Sequence, residues 1–333
     1  MGNKIPKILV IRLGALGDIC LSLGPMAAIR AHHPTAEIVL LTTGFFADWL
    51  KDCPYFDRLH SVPRHSRYNP LWLWRIGRWL RRERFDRIYD LQTSAHSRSY
   101  FYLLPRGNAR PEWSGHIKSA SHSDLVNPAR STSHTVDRQA EQLRLAGIDS
   151  VPLANFDWLP ESDWHRFNLP ESFALLVIGA SPRPPGKKWP AGHFAELAGL
   201  LKSQLGLTPV LIGGAAEAQL AAEIAALAEV IDLTAQTSLN DLVTLAKKAR
   251  LMVGNDTGPA HLMAIAGVPC LMLFSRQTHP WKAAPRGKNA HYLQVAQGES
   301  LDDLNAARVL ARVQAIVSDP YRDNCHLQGN RAD

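Results

Sequence analysis

The stretch Gly254-Asn255-Asp256-Thr257-Gly258-Pro259-Ala260-His261 lies between the apolar runs Leu251-Met252-Val253 and Leu262–Ala266, the second of which ends at Gly267. That order predicts a strand, a tight turn, and a helix whose first turn carries Thr257, Gly258 and Pro259. Proline lacks the N–H that a first helical turn leaves unpaired, and the free amides around it point outward. An anion such as a diphosphate can sit there, favoured by the amides and by the positive end of the helix dipole. Asp256 and His261 flank the same mouth, where they could grip hydroxyls or a second phosphate. The same residues also read as an ordinary helix capped by Asp256 or Thr257.

A second junction stands near the N-terminus. Lys7–Leu13 has the pattern of a buried strand, and Gly14-Ala15-Leu16-Gly17-Asp18 turns it into a helix starting near Ile19. The dinucleotide fingerprint G-x-G-x-x-G is absent, and no acidic residue ends the next strand, Glu37–Thr43. What remains is a glycine turn that presents the carboxylate of Asp18 at a strand's C-terminal edge, where ligands bind in open parallel sheets. A third junction, Ser181-Pro182-Arg183-Pro184-Pro185-Gly186-Lys187-Lys188-Trp189-Pro190, follows the strand Ala174–Ile178 and precedes a helix at His193. Its prolines stiffen a loop that carries Arg183, Lys187 and Lys188 over that edge.

These pieces, in this order and together with Gly213-Gly214, resemble glycosyltransferase family 9, the ADP-heptose:lipopolysaccharide heptosyltransferases, from Lys7 to about Val317. The resemblance implies an α/β protein of the GT-B class, two doubly wound Rossmann-like domains facing across a cleft. It implies an inverting single displacement with Asp18 as general base. Lys187 maps onto a lysine that contacts the donor phosphate, with Lys188 and Arg183 assisting. Thr257 and Gly258 would add donors to the diphosphate, and Asp256 would contact the donor sugar. His261 matches the histidine that closes this motif, although a histidine here could equally pack beneath the helix. Glu217 stands near a ribose-binding acid, with Ala216 as the competing match and a surface glutamate as the plain alternative. Arg12 and Arg98 are the acceptor-side candidates, with Ser94 and His96 beside Arg98 after the strand Arg87–Leu91. No cofactor is expected. No D-x-D and no metal-ligand spacing occurs in the sequence, so phosphate neutralisation is expected from Lys187 and the helix N-terminus.

The chain has 333 residues, 46% of them hydrophobic and 20% charged, enough for two cores of about 150 residues each. The expected organisation is an acceptor-side domain over 1–150, a linker over 151–170 broken by Pro152, Pro160 and Pro170, a nucleotide-sugar domain over 171–318, and a tail over 319–333. Strands alternate with helices in both halves, which implies parallel sheets with helices on both faces. The net charge of +7 favours an anionic partner. Without a nucleic-acid-binding signature, that partner is expected to be a phosphorylated substrate or an anionic glycolipid rather than nucleic acid. The four cysteines are far apart, as in a reduced cytoplasmic protein, and no segment reads as a membrane span. The segment Arg64–Arg87 holds eight arginines with Trp72, Trp74 and Trp79, a mixture suited to peripheral contact with an inner membrane, or to a helix with buried tryptophans and a solvated arginine face.

Three departures from the family pattern bear on specificity. Arg12 replaces a common lysine. The loop Ser275-Arg276-Gln277-Thr278-His279-Pro280 stands where Gly-Pro-Thr-Asp-Pro is usual. Trp113-Ser114-Gly115-His116 replaces an Arg-Ile-Gly run. A GT-B-like sugar-nucleotide epimerase and a non-catalytic sugar-nucleotide or lipid-binding protein are the competing readings.

Overall fold

The computed structural model describes residues 4–63, 69–180, 186–287 and 289–318. The chain forms two compact units, divided between Leu159 and Pro160. The first contains strands β1 (Lys7–Ile11), β2 (Glu37–Thr43), β3 (Arg58–Val62), β4 (Arg87–Asp90), β5 (Glu112–Gly115) and β6 (His122–Ser123). Its helices are α1 (Leu16–His32), α2 (Gly44–Trp49), α3 (Pro70–Glu83), α4 (Ala95–Leu103) and α5 (Thr135–Arg144). The second contains β7 (Phe173–Val177), β8 (Thr208–Ile212), β9 (Ile231–Asp232), β10 (Leu251–Asn255), β11 (Cys270–Phe274) and β12 (Ala290–Gln294). Its helices are α6 (Ala191–Leu205), α7 (Ala218–Leu227), α8 (Leu239–Lys248), α9 (Gly258–Ala266), α10 (Pro280–Ala283) and α11 (Ala306–Ser318).

Every strand pairing is parallel, in the orders β3-β2-β1-β4-β5-β6 and β12-β11-β10-β7-β8-β9. Counted within its own unit, each sheet has the doubly wound order 3-2-1-4-5-6. The winding reverses between β1 and β4 in the first unit and between β7 and β10 in the second. Chains leaving those two strands diverge to opposite faces, which opens a crevice at their C-terminal ends.

Central strands are apolar throughout because both faces are covered. Leu9, Ile11, Val39, Leu41 and Ile88 bury one face of the first sheet with Ile76, Leu80, Phe101 and Trp113. In the second, Ala174, Leu176, Val253 and Leu271 pack with Trp189, Phe194, Val309 and Val313. Each such aliphatic side chain contributes about 1.5–3 kcal/mol by leaving water. The stretch between the domains is packed rather than free. Phe156 is buried against Trp49, while Ser162 donates its N–H to Thr244 Oγ1 and Arg166 pairs with Asp241. Residues before Leu159 thus dock on the first unit and those after Pro160 on the second.

Most elements lie within a residue or two of their sequence-based positions. The exceptions are short: β6 with two residues and α10 with four. Helix α11 begins at Ala306, after a single turn over Leu301–Asp303 capped by Ser300. Residues 319–333, including Cys325, lie outside the described residues. Among the described residues, no helix is long and apolar enough to cross a membrane.

Candidate active site

The first switch point is organised around Arg12 and Asp18. β1 ends at Ile11, so Arg12 leaves the sheet at its C-terminal edge with its side chain only 5% exposed. Burial acts most strongly on this guanidinium and lowers its pKa, against the pull of the Asp18 and Asp90 carboxylates. Each of its three nitrogens is directed: Nη2 to Asp18 Oδ1 at 3.0 Å, Nε to the Asp18 carbonyl at 3.2 Å, and Nη1 to the Leu91 carbonyl at 2.7 Å. Asp18 in turn accepts the Ala15 N–H through Oδ2 at 3.1 Å, because Ala15 offers helix α1 no side-chain cap. The Asp18 side chain nevertheless stays 46% exposed. Gly14 makes the turn at φ 128°, and an added Cβ would lie 2.8 Å from the Phe46 ring.

Beneath this pair lies Asp90, the last residue of β4 and fully buried. Burial raises its carboxyl to about 6, opposed by the Thr93 N–H, the Ser97 hydroxyl, the Gln92 N–H and the charge of Arg12. Two cavities open here. One of about 780 Å³ is bordered by Gly14, Leu16, Phe45, Phe46, Gln92 and His96. The other, of about 130 Å³, is bordered by Arg12, Asp18, Arg130 and Arg138 among others.

The second switch point gathers Lys187, Asp256 and His261. Lys187 Nζ donates to Asp256 Oδ2 at 3.0 Å, and His261 Nε2 lies 3.4 Å from Asp256 Oδ1. All three side chains are largely buried, at 13%, 16% and 6% exposure. Burial works against ionisation of Asp256, yet His261 and Lys187 together outweigh it and hold the carboxyl below its ordinary range. Thr257 caps α9 by accepting the Ala260 N–H, and Gly258 and Pro259 form the first turn. His261 is a buried residue of α9 itself and a partner of Asp256.

Lys187 is held from behind by residues that the sequence reading did not single out for this role. Asn255 is fully buried at the end of β10; its Oδ1 accepts the Trp189 N–H at 3.0 Å and its amide donates to the Ile178 carbonyl at 2.9 Å. Trp189, also fully buried, donates its indole N–H to the Leu304 carbonyl at 2.6 Å. One amide therefore ties the ends of β7 and β10 to the loop bearing Lys187. Gly254 permits the close strand approach, since a Cβ there would sit 2.5 Å from Val177 Cβ. Asn255 directly precedes Asp256 in the motif, which is the signal that could have marked it.

The remaining candidates are less tightly assembled. Glu217 Oε2 accepts the Gly214 N–H at 3.0 Å and lies over Gly179 and Gly213, at the ends of β7 and β8. Lys188 is exposed, next to the largely buried Lys187. Ser94 caps α4 and His96 is bonded to Tyr100, and both border the larger cavity; Arg98 borders neither. Arg183 falls outside the described residues. The loop after β11 is tied to β12 by Gln294, which donates to the Ser275 and Thr278 carbonyls, leaving Arg276, Gln277 and His279 exposed. Among the described residues, no three His, Cys, Asp or Glu side chains gather in a way that could hold a metal ion.

Residues 73–313 match the profile of glycosyltransferase family 9 (heptosyltransferase). The chain belongs to that family. Lipopolysaccharide heptosyltransferase 2 of Salmonella typhimurium is 26% identical, with 94% of this chain and 99% of the relative covered. The solved ADP-heptose LPS heptosyltransferase II of Escherichia coli is 25% identical, with a TM-score of 0.73 and 94% and 98% coverage. A family 9 glycosyl transferase from Veillonella parvula has a TM-score of 0.78 at 21% identity, covering 96% of this chain and 99% of its own. A UDP-N-acetylglucosamine 2-epimerase from Listeria monocytogenes shares the fold more distantly, at a TM-score of 0.59 and 14% identity. This family 9 chain is therefore a glycosyltransferase with the GT-B fold of two doubly wound Rossmann-like domains.

Proposed function

We propose that this family 9 enzyme moves a heptose, or a closely related sugar, from an ADP-sugar to a lipopolysaccharide core or similar anionic glycolipid, with inversion. The observation that carries this reading is the division of labour between the switch points. One presents an accessible carboxylate, Asp18, on a buried arginine; the other presents a cation and a helix N-terminus suited to a diphosphate. The similarity to a lipopolysaccharide heptosyltransferase 2 and to an ADP-heptose LPS heptosyltransferase II supplies the sugar, the nucleotide and the acceptor class.

Sugar transfer makes separate demands on the two units. The acceptor hydroxyl must lose its proton as it attacks, and Asp18 accepts it in the assigned role of general base. The leaving diphosphate gains charge, which Lys187, Lys188 and the first turn of α9 neutralise without an obligatory metal. Asp256 takes hydroxyls of the donor sugar, held in place by Lys187 and His261, while Glu217 serves the ribose. Arg12 fixes Asp18, and Arg98 stands on the acceptor side.

Calorimetric titration with ADP, UDP, GDP and ADP-heptose tests the donor, and product stereochemistry tests inversion. Preference for ADP and heptose transfer to a truncated lipopolysaccharide are expected. Donor consumed without acceptor, giving a free rearranged sugar, would move the assignment to an epimerase. Activity that vanishes in chelator and returns with Mg²⁺ would overturn the metal-free assignment.

The proposed workplace is the cytoplasmic face of the inner membrane. Helix α3 turns Trp79 inward, where it stacks on His60 at 3.9 Å, and leaves Leu71 and Trp74 exposed. Arg75 and Arg78 lie over Trp72 and Trp74, each 5.5 Å from the ring. Arg81 reaches the Leu103 carbonyl, so the outward cations are best represented by Arg75, Arg78 and Arg82. Their reversal to glutamate should release the enzyme from anionic vesicles, at about 1 kcal/mol per charge. Undiminished vesicle binding would remove the membrane role. Residues 64–68 of the same basic segment lie outside the described residues.

A further inference from the structure

Arg12, Asp18, Arg130 and Arg138 border one cavity of about 130 Å³ at the first switch point, and every residue around it except Leu91 is polar. Three guanidiniums and one carboxylate leave it with a surplus of positive charge. Arg12 is engaged through each of its three nitrogens with Asp18 and the Asp18 and Leu91 carbonyls. Arg130 is paired with the buried Asp124 at 2.6 Å, on a carboxylate that also meets His116 and does not border the cavity. Arg138 is different. Its Nη2 donates to Thr135 Oγ1 at 2.8 Å, while its buried Nε has no hydrogen-bond partner among the described residues.

Buried donors on a cation are seldom left unpaired in a settled core. Here burial, followed by the neighbouring charges of Arg130 and Arg12, lowers the pKa of Arg138, with only partial relief from Asp124 and Asp18. The site is thus built to gain from an anion. The cavity exceeds the space of a single water and is far smaller than a sugar chain, which suits one carboxylate or phosphate group.

We propose that Arg138, supported by Arg130, receives an anionic substituent of the acceptor, a carboxylate or phosphate on or next to the sugar whose hydroxyl Asp18 deprotonates. The inference rests on the glycosyl-transfer reading and adds to it a specificity-determining residue. Anchoring a charge beside Asp18 fixes which hydroxyl of a polyhydroxylated acceptor reaches the base, because a rigid anion–guanidinium pair restricts the sugar's rotation. Helix α5 is suited to this duty. Gln139 and Gln142 tie it to Ser22, to the Leu91 and Asp90 carbonyls, and to Ser114, so the guanidinium stands on a fixed platform.

The test compares wild type, Arg138→Gln and Arg138→Lys on a truncated lipopolysaccharide acceptor in three forms: untreated, dephosphorylated, and with carboxylates reduced to alcohols. Arg138→Gln should raise the acceptor KM roughly 10- to 100-fold with little change in kcat. Arg138→Lys should recover part of that loss. One of the two neutralised acceptors should be poor for wild type and equally poor for Arg138→Gln, which names the group received. A merely structural arginine would lower activity on all three acceptors alike, and that outcome, or an unchanged KM, overturns the proposal. If wild type transfers to no acceptor, the glycosyl-transfer reading fails separately. Titration with inorganic phosphate in saturating ADP then decides on Arg138: binding to wild type that weakens at least tenfold in Arg138→Gln supports the site, and equal or absent binding to wild type and variant overturns it.

Discussion

The two switch points use the same strand order and the same kind of pair, a basic side chain against an aspartate, but differ in whether the acid is accessible. In the first unit the cation is sealed, with Arg12 5% exposed, and the acid is open, with Asp18 46% exposed. In the second, Lys187 and Asp256 are both largely covered, at 13% and 16%, and His261 occupies the second oxygen of the acid. Both acids are held on each oxygen, but the exposed one keeps surface on which a hydroxyl can be met and deprotonated, whereas the covered one aims a lysine and has little room beyond a sugar hydroxyl. The difference comes from the strand ends. Arg12 follows β1 directly and is drawn under the sheet edge, while Lys187 comes from a loop pinned by Trp189 and Asn255. Topology supplies two equivalent crevices, and the side chains make them different: on the proposed reading one does proton chemistry and the other holds charge.

The sharpest way to break this contrast is Asp18→Asn. Loss of a positioned general base should lower kcat by about 10²–10⁴-fold while ADP affinity stays as in wild type. Turnover within a few-fold of wild type would remove Asp18 from the base role. Lys187→Ala should act on the other half, lowering transfer by roughly 10²–10³-fold together with ADP affinity. An effect on acceptor KM alone would reverse the assignment of the two crevices. The Lys187–Asp256 pair also has a direction in pH. Because Asp256 titrates below its ordinary range in the folded chain, its stabilisation is present above the unfolded value and is lost as pH falls through the depressed one.

Asp90 behaves in the opposite sense and sharpens the comparison. Buried beneath Arg12, it titrates at about 6 rather than 3.8. Between those values the folded chain holds a proton that the unfolded chain has released, so stability falls as pH rises across the window. Asp90→Asn keeps an acceptor for the Thr93 N–H, removes the buried ionisation, and should gain on the order of 2–3 kcal/mol relative to wild type at pH 7. Urea unfolding at pH 4 and pH 7 measures this. An equal difference between the two proteins at both pH values would mean that Arg12 fully compensates the buried charge.

Much of this was legible along the chain for a local reason. Asp18, Lys187 and Asp256 each stand within a few residues of a glycine or proline turn that ends an apolar strand run, so the break in hydrophobic pattern marks them directly. The doubly wound class followed from alternation alone. Residues whose meaning depends on distant partners were not legible. Asn255 matters because it meets Trp189 and Ile178, and Arg138 because α5 returns to the end of β1. The Arg64–Arg87 segment reads as a helix in one of two ways, but its pattern cannot divide the tryptophans; the position of His60 shows that Trp79 faces inward. The buried indole of Trp189 shows why the lysine two residues earlier has a fixed aim.

The smallest expected effect concerns how each crevice opens its helix. α1 begins at Ala15, which has no side chain to offer, so Asp18 itself reaches back to the Ala15 N–H at 3.1 Å. α9 begins at Thr257, whose hydroxyl accepts the Ala260 N–H at a long 3.5 Å. The proposed base and the residue serving the helix start are one in the first unit, whereas the acid Asp256 and the cap Thr257 are separate residues in the second. Thr257→Ala should therefore cost only about 0.5–1 kcal/mol of stability, at the weak end for an N-cap, and leave Lys187 and Asp256 in place. Its effect on ADP affinity should be a few-fold, because the backbone amides of the first turn, which carry the dipole's positive end, remain. Thr257→Ser should restore both. A loss in ADP affinity matching that of Lys187→Ala would instead mean that the hydroxyl, rather than the helix end, carries the diphosphate.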